Sequence, residues 1–251
     1  NPYRFVKNNI EGTFNLFECC RKYLKKISGK KRDNFKILYV STDEVFGSLG
    51  EDGFFDEKTK YNPSSPYSAS KASADHLATA YYKTYNLPIL TSNCSNNYGP
   101  FQFPEKLIPL TILNALNGKD ITIYGDGSNI RDWLYVEDHC DAIYNLMTKG
   151  EVGEVYNIGG NSEKTNLEVV EIICESLDEL YPTSSNLNVS KKINSYKDLI
   201  TFVEDRPGHD FRYSIDASKI SSDINWKPKE NFKSGIKKTI LWYLKNFLSN
   251  E

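Results

Sequence analysis

Two short apolar runs, each bracketed by helical periodicity, constrain this chain more than any other feature. Phe35-Lys-Ile-Leu-Tyr-Val-Ser41 and Leu87 to Ser92 have the length of strands and few polar interruptions. Runs of that kind are buried in a parallel sheet. Ahead of the first, Val6, Ile10, Phe14, Phe17 and Leu24 recur at helical spacing and predict an amphipathic helix from Pro2 to around Lys26. A basic, Gly-containing loop follows it. Between the two runs, Pro63 to Pro66 make a turn, and Tyr67 to Tyr85 reads as a helix carrying Ala69, Ala72, Leu77 and Ala80. The order helix, strand, helix, strand is that of a doubly wound α/β sheet.

The remainder is more mixed. Leu107 to Leu116 reads as a helix, Ile121 to Ile123 as a short strand and Val136 to Met147 as another helix. Val155 to Ile158 is a strand ending at Gly159-Gly160. Thr165 and Glu168 form a capping box ahead of Leu167, Val170, Ile173, Cys174 and Leu177, a strong helix start. Tyr181 to Tyr196 has few apolar residues and is expected to cross the surface. Phe232, Ile236, Ile240, Tyr243 and Phe247 mark a closing helix. At 251 residues the chain can bury one large α/β domain, or one with a smaller appendage.

A net charge of -2 gives no electrostatic case for nucleic acid or an anionic membrane as partner. No apolar run approaches the roughly 18 residues that span a bilayer. The stretch from Asn1 to Arg32 is too polar for a signal peptide. Cys19, Cys20, Cys94, Cys140 and Cys174 are odd in number and form no C-x-x-C pair, and His76, His139 and His209 lie far apart, so neither a metal site nor a disulfide framework is expected. Reduced, buried cysteines in a cytosolic protein fit better.

Chemistry concentrates at a few places. Tyr67-Ser-Ala-Ser-Lys71 opens a helix, and residues four apart share a face. A phenol is a poor base near neutral pH, and an adjacent ammonium favours its ionised form. Tyr3 and Lys7 have the same spacing, so the pair alone reads sooner as an exposed helix pair than as a catalytic one. Ser41-Thr42-Asp43-Glu44 directly follows the first strand, and ligands of open α/β sheets bind beyond the carboxyl ends of strands. Adjacent carboxyl groups can divide acid and base work; on its own the segment reads equally as a solvated acidic loop. Asn93-Cys-Ser-Asn-Asn-Tyr-Gly99, Tyr124-Gly-Asp-Gly127, Ile130-Arg-Asp-Trp133 and Asp205-Arg-Pro-Gly-His209 are rich in groups that hold phosphate or sugar. Arg131 and Arg206 could each grip a diphosphate, or serve in surface ion pairs.

Together these segments resemble the extended short-chain dehydrogenase/reductase family, and within it the dTDP-glucose 4,6-dehydratases. The matching strings are NNIEGTFNL (8–16), STDEVFG (41–47), SSPYSASKA (64–72), NCSNNYGP (93–100), FPEKLIP (103–109), IRDWLYVEDH (130–139), YNIGG (156–160) and DRPGHD (205–210). They run in order along nearly the whole chain. Sister epimerases and decarboxylases share the tyrosine-lysine pair but usually lack the full Thr-Asp-Glu triplet. The resemblance implies an incomplete Rossmann-type doubly wound sheet, residues 1–100, with a smaller C-terminal α/β substrate-binding region, residues 101–251, some of whose segments return to the sheet.

The resemblance also implies a function. With NAD as cofactor, Tyr67, assisted by Lys71 and Thr42, would deprotonate the sugar 4-hydroxyl. Glu44 would act as base at C5 and Asp43 as acid at the C6 hydroxyl, giving a 4-keto-6-deoxy sugar. Thr42, Asn96, Lys106, Leu107, Tyr124, Arg131, Asn166, Arg206 and His209 would line the nucleotide-sugar site; Asn8 and Asn97 would join Tyr67 and Lys71 against the cofactor. A homodimer through the helices around 9–26 and 67–85 is expected. The family's opening strand and Gly-rich turn, which receive the dinucleotide pyrophosphate, have no counterpart here, as no G-x-G-x-x-G occurs. The expectation is therefore a truncated chain that binds NAD poorly. UDP-glucose dehydration, a UDP-sugar epimerase or decarboxylase, and an inactive nucleotide-sugar-binding fragment are the alternatives.

Overall fold

The computed structural model describes residues 1–205 and 208–248. The chain opens with α1 (Tyr3–Phe5), a π-helical segment (Val6–Glu11) and α2 (Gly12–Leu24), forming one nearly continuous helix, then α3 (Lys30–Asp33) and β1 (Ile37–Thr42). Next come α4 (Pro66–Tyr85), β2 (Ile89–Cys94) and β3 (Asn96–Tyr98). Further on lie α5 (Leu107–Leu116), β4 (Ile121–Tyr124), β5 (Ile130–Tyr135), α6 (Val136–Lys149) and β6 (Val155–Ile158). β7 (Glu163–Thr165), α7 (Asn166–Leu180), β8 (Ile200–Val203), α8 (Ser218–Ile224) and α9 (Phe232–Leu248) complete the set.

Two compact units share these elements. The first comprises Asn1–Ser95, His139–Gly159 and Tyr213–Lys227; the second Asn96–Asp138, Gly160–Arg212 and Pro228–Glu251. The first is built on a parallel sheet of order β1-β2-β6. Its register places Ser41 opposite Asn93 and Asn93 opposite Asn157, so a buried polar rung crosses all three strands near their carboxyl ends. β1 is the edge strand here: Val40 is exposed and only Ser41 and Thr42 are fully buried. The apolar run thus forms a strand of a parallel sheet as expected, though most of its side chains are only partly buried.

The α4 helix starts with Pro66 at its first position and a Ser65–Ser68 capping box, and Asn86 closes it in the left-handed conformation. Its buried face carries Ser68, Ser70, Ala72, Ala74, Asp75, Ala78 and Tyr81, whereas Ala69 and Ala80 point outward. Small side chains on that face let the helix lie close to the sheet. Phe17 of α2 packs with Ala78, Tyr81, Leu87 and Ile89. The expected amphipathic stripe of the first helix is otherwise uncovered, since Val6 and Phe14 are exposed and Ile10 and Leu24 only half-buried.

The second unit holds a larger core, in which Ile112 of α5, Ile123 of β4, Ile173 and Leu177 of α7 and Ile240 of α9 pack together. β3 and β5 run parallel, β7 pairs antiparallel to β5, and β4 pairs with β8. The Thr165–Glu168 capping box forms in both directions, at 3.1 and 2.7 Å. Gly160 is required by close approach, because a Cβ there would lie 2.0 Å from the Trp133 carbonyl oxygen. The segment expected to cross the surface is anchored: Tyr196 is fully buried and its hydroxyl donates to the Tyr181 carbonyl at 2.8 Å. The expected burial of the cysteines is met only at Cys174, since Cys19 and Cys140 are exposed and Cys20 and Cys94 half-buried.

Candidate active site

β1 ends in Thr42 and turns at once into a 3₁₀ segment, Asp43–Phe46. Thr42 caps this turn: its Oγ1 accepts from the Glu44 amide at 3.3 Å and donates to Asp43 Oδ1 at 3.2 Å. Val45 and Phe46 pin the turn by packing with Phe55, Ala72, Tyr213 and Ile215. Gly47 follows at φ +90°, where a Cβ would meet the Asn62 carbonyl oxygen at 2.5 Å. Hydrophobic anchoring on one side of the turn therefore presents the carboxyl groups on the other. Asp43 is only 2% exposed, while Glu44 is half-buried.

Tyr67 is half-buried at the second position of α4, with its ring edge-on to Phe5 at 5.5 Å between centroids. Burial pushes its phenol well above the ordinary range, and the charges of Glu44, Cys94, Asp43 and Tyr39 push it further. The phenol thus lies within electrostatic reach of both carboxyl groups of the triplet. Lys71 does not donate to it. Its Nζ donates to the Val40 carbonyl at 2.7 Å and the Tyr39 hydroxyl at 3.1 Å, and stands 4.6 Å from the Tyr39 ring centroid. Burial depresses its basicity, partly offset by the charge of Asp75. Asn8 is exposed in the π-helical segment, whereas its neighbour Asn9 donates to Ser70 Oγ of α4 at 2.9 Å.

Thr42, Asp43, Glu44, Tyr67 and Lys71 are therefore gathered on two consecutive elements of the first unit. Sequence reasoning passed over three neighbours, Tyr39, Cys94 and Asp75. Cys94 Sγ lies 3.4 Å from the Ser41 carbonyl oxygen, and Asp75 is buried beneath the pair. The usable signal for Asp75 was its position four residues beyond Lys71, on the same helical face.

In the second unit a separate group forms where β4 and β8 end and β5 begins. Arg131, 6% exposed, donates to the carbonyl oxygens of Ile130 (2.7 Å), Asp210 (2.9 Å) and Phe211 (3.2 Å). This staples β5 to the segment of His209, whose Nδ1 lies 2.8 Å from Asp205 Oδ1. Asn166 N donates to the Asn129 carbonyl at 3.0 Å and Gly125 N to that of Val203 at 2.9 Å, so Tyr124, Arg131, Asn166 and His209 draw toward one region. Arg206 lies outside the described residues. Asn96 and Asn97 are on β3; Lys106, exposed, and Leu107 sit at the start of α5. Among the described residues no cluster of three His, Cys, Asp or Glu could hold a metal ion, and no helix is long and apolar enough to cross a membrane.

A parallel sheet with a half-buried tyrosine and lysine, a buried aspartate and a half-buried glutamate at its carboxyl end is an α/β arrangement of the short-chain dehydrogenase type. The profile described as GDP-mannose 4,6 dehydratase matches residues 1–239, and the chain belongs to that family. It is 58% identical over 243 residues to the dTDP-glucose 4,6-dehydratase of Neisseria gonorrhoeae, covering 96% of this chain and 69% of that protein. Among solved structures, it resembles the dTDP-glucose 4,6-dehydratase of Bacillus anthracis in complex with NAD, at 50% identity and a TM-score of 0.82, covering 98% of this chain and 70% of that one. The enzyme of the same name from Streptomyces venezuelae, also with NAD bound, matches at 38% identity and a TM-score of 0.83, over 98% of this chain and 68% of that one.

Proposed function

We propose that this chain carries the catalytic centre of an NAD-dependent nucleotide-sugar 4,6-dehydratase, a hydro-lyase acting on dTDP-glucose. The observation that carries the reading is that β1 runs straight into the Thr42–Glu44 turn beside α4, which carries Tyr67 and Lys71, with Lys71 Nζ bound to the Val40 carbonyl of that strand at 2.7 Å. An epimerase or a simple dehydrogenase has no use for the second pair of proton-transfer groups, Asp43 and Glu44. The high identity to dTDP-glucose 4,6-dehydratases supports dTDP over other nucleotides.

The phenol and ammonium on one face of α4 fit the nicotinamide-ribose end of NAD, with Asn8 and Asn97 as further ligands. NAD, when bound, supplies the hydride acceptor for C4 and the hydride donor for C6. Tyr67 takes the proton of the 4-hydroxyl, with Thr42 and Lys71 orienting and polarising that exchange. The resulting 4-keto group acidifies the C5 hydrogen, which Glu44 removes. Asp43, the more deeply buried of the two carboxyl groups, delivers a proton to the departing C6 hydroxyl, so water leaves as the C5–C6 double bond forms. Burial suits the neutral acid and partial exposure the ionised base. Glu44 returns its proton to C5, completing a 4-keto-6-deoxy sugar. Asn96, Lys106, Leu107, Tyr124, Arg131, Asn166, Arg206 and His209 are assigned to the nucleotide-sugar, His209 and Arg131 through the segment they stabilise together.

The reading includes a homodimer, supported by the uncovered apolar side chains of α2 and α4, and residence in the cytoplasm, in keeping with five unbridged cysteines. The test supplies NAD, with dTDP-glucose and UDP-glucose in parallel, to the chain joined to the opening strand and Gly-rich turn that the family places ahead of it, and follows C6 deoxygenation by NMR. Tyr67→Phe is expected to slow C4 oxidation by about a hundred- to ten-thousandfold, whereas Glu44→Gln leaves oxidation intact and slows elimination by a similar order. Equal oxidation by both variants, or normal dehydration by Glu44→Gln, would remove the assignments.

A further inference from the structure

Asp75 is an ionisable side chain buried between α4 and the sheet of the first unit. It lies on the sheet-facing side of α4, 3% exposed, one helical turn beyond Lys71. Moving a carboxylate out of water costs several kcal/mol unless it is well compensated. Compensation here comes through one oxygen. Asp75 Oδ2 accepts from Ser41 Oγ at 2.9 Å, from the Tyr61 hydroxyl at 3.0 Å and from Asn93 Nδ2 at 3.5 Å. These donors come from the end of β1, the loop before α4 and the end of β2. Oδ1 is buried with no hydrogen-bond partner among the described residues.

The three donors bear directly on the catalytic groups. Ser41 is the residue from which Thr42, Asp43 and Glu44 depart. Asn93 Nδ2 also donates to the Thr42 carbonyl at 3.0 Å. The charge of Lys71 acts on Asp75 through space, because its Nζ is engaged by the Val40 carbonyl and Tyr39 hydroxyl. Other titratable groups around the site are Tyr39 from β1, Cys94 from β2, Tyr61 from the loop, Tyr67 on α4 and the carboxyl groups of Asp43 and Glu44; the exposed His76 stands behind Tyr61, with 5.3 Å between ring centroids.

We infer that Asp75 is a positioning residue for the dehydration chemistry: its carboxylate keeps Lys71 protonated and ties the root of the Thr42–Glu44 turn to the helix that carries Tyr67. Burial pushes the Asp75 carboxyl up to about 6, against the opposing donors Ser41 and Tyr61, the charge of Lys71 and the donor Asn93. The carboxylate is therefore formed at neutral pH and discharged in mild acid. Below that point Lys71 loses its counter-charge, and the turn loses a charged acceptor for two strand ends. Asp75 touches no reacting atom; it acts through Lys71 and Ser41.

This inference rests on the dehydratase reading, and its test separates the two. The pH dependence of kcat and KM is measured for the wild type, Asp75→Asn, Ser41→Ala and Tyr61→Phe, with the Lys71 ammonium followed by NMR of labelled lysine. Asp75→Asn is expected to lower kcat about tenfold or more at pH 7.5, change KM less than about twofold, abolish the acid limb near pH 6 and lower the basicity of Lys71 by about one unit. Ser41→Ala and Tyr61→Phe keep the charge but lose a donor, so they move the acid limb upward by about one pH unit. An Asp75→Asn enzyme with the wild-type acid limb and an unmoved Lys71 overturns the inference. So does an unmoved limb in Ser41→Ala, which decides the matter if Asp75→Asn does not fold. Unimpaired C4 oxidation by Tyr67→Phe sinks the dehydratase reading instead, and the lysine titration still judges the electrostatic role of Asp75.

Discussion

At the scale of single residues, the same carboxylate has a consequence for stability that is independent of catalysis. The folded chain holds the Asp75 proton up to about pH 6, whereas an unfolded aspartate releases it near 3.9. The folded state therefore binds more protons between those values, and stability falls as pH rises through that window. Relative to Asp75→Asn, the wild type should lose up to about 3 kcal/mol of unfolding free energy between pH 4 and 7, measured by urea denaturation. A constant difference across that range would show that burial does not strain the charge. His139, buried and held neutral with its acidity shifted down to about 4, acts in the opposite sense and is common to both proteins in that comparison.

Elements owe their positions to local chemistry that can be tested without reference to function. The α7 helix begins where Thr165 and Glu168 satisfy each other's backbone amides, so Thr165→Ala removes one acceptor and should cost about 1 kcal/mol in thermal unfolding. No change would mean that tertiary packing of Ile173 and Leu177 alone sets the start of the helix. This cap was legible because its partners are three residues apart. The same locality made α4, α5, β6 and α9 readable to within a few residues. The short strands β3, β5, β7 and β8 were not legible as strands. Ile130 to Tyr135 mixes Arg131 and Asp132 with apolar residues, and its place in a sheet comes from partners at 96–98 and 163–165. The π-helical register of Val6–Glu11, which turns Asn9 rather than Asn8 toward α4, likewise leaves no trace in a helical pattern.

For the whole molecule, the uncovered apolar residues of the first helix pose the clearest question. Leu16 is 55% exposed and Phe14 46%, with Tyr23 and Tyr85 also open to solvent. A stable dimer buries about 800 Å² on each partner, typically around apolar and aromatic anchors. The proposed homodimer predicts that Phe14→Glu with Leu16→Glu shifts the sedimenting species to monomer while leaving the circular dichroism spectrum unchanged. A wild-type monomer at micromolar concentration would remove that part of the proposal.

The sequence by itself read the short helix α3 as loop, but it determined the order of the long helices and strands in the first ninety residues, the cap of α7, and the grouping of triplet and tyrosine-lysine pair on consecutive elements. All of these depend on residues close together along the chain. Tertiary structure decided that β1 lies at an edge among the described residues, that it is residues 139–159 and 213–227 that join the first unit, that Arg131 turns toward backbone carbonyls, and that Asp75 is buried on the face of α4 that carries Lys71. The physical reason is that strand neighbours, burial and the field at a titratable group are set by atoms distant in sequence. An aspartate on a helix reads the same whether that helix faces water or a sheet.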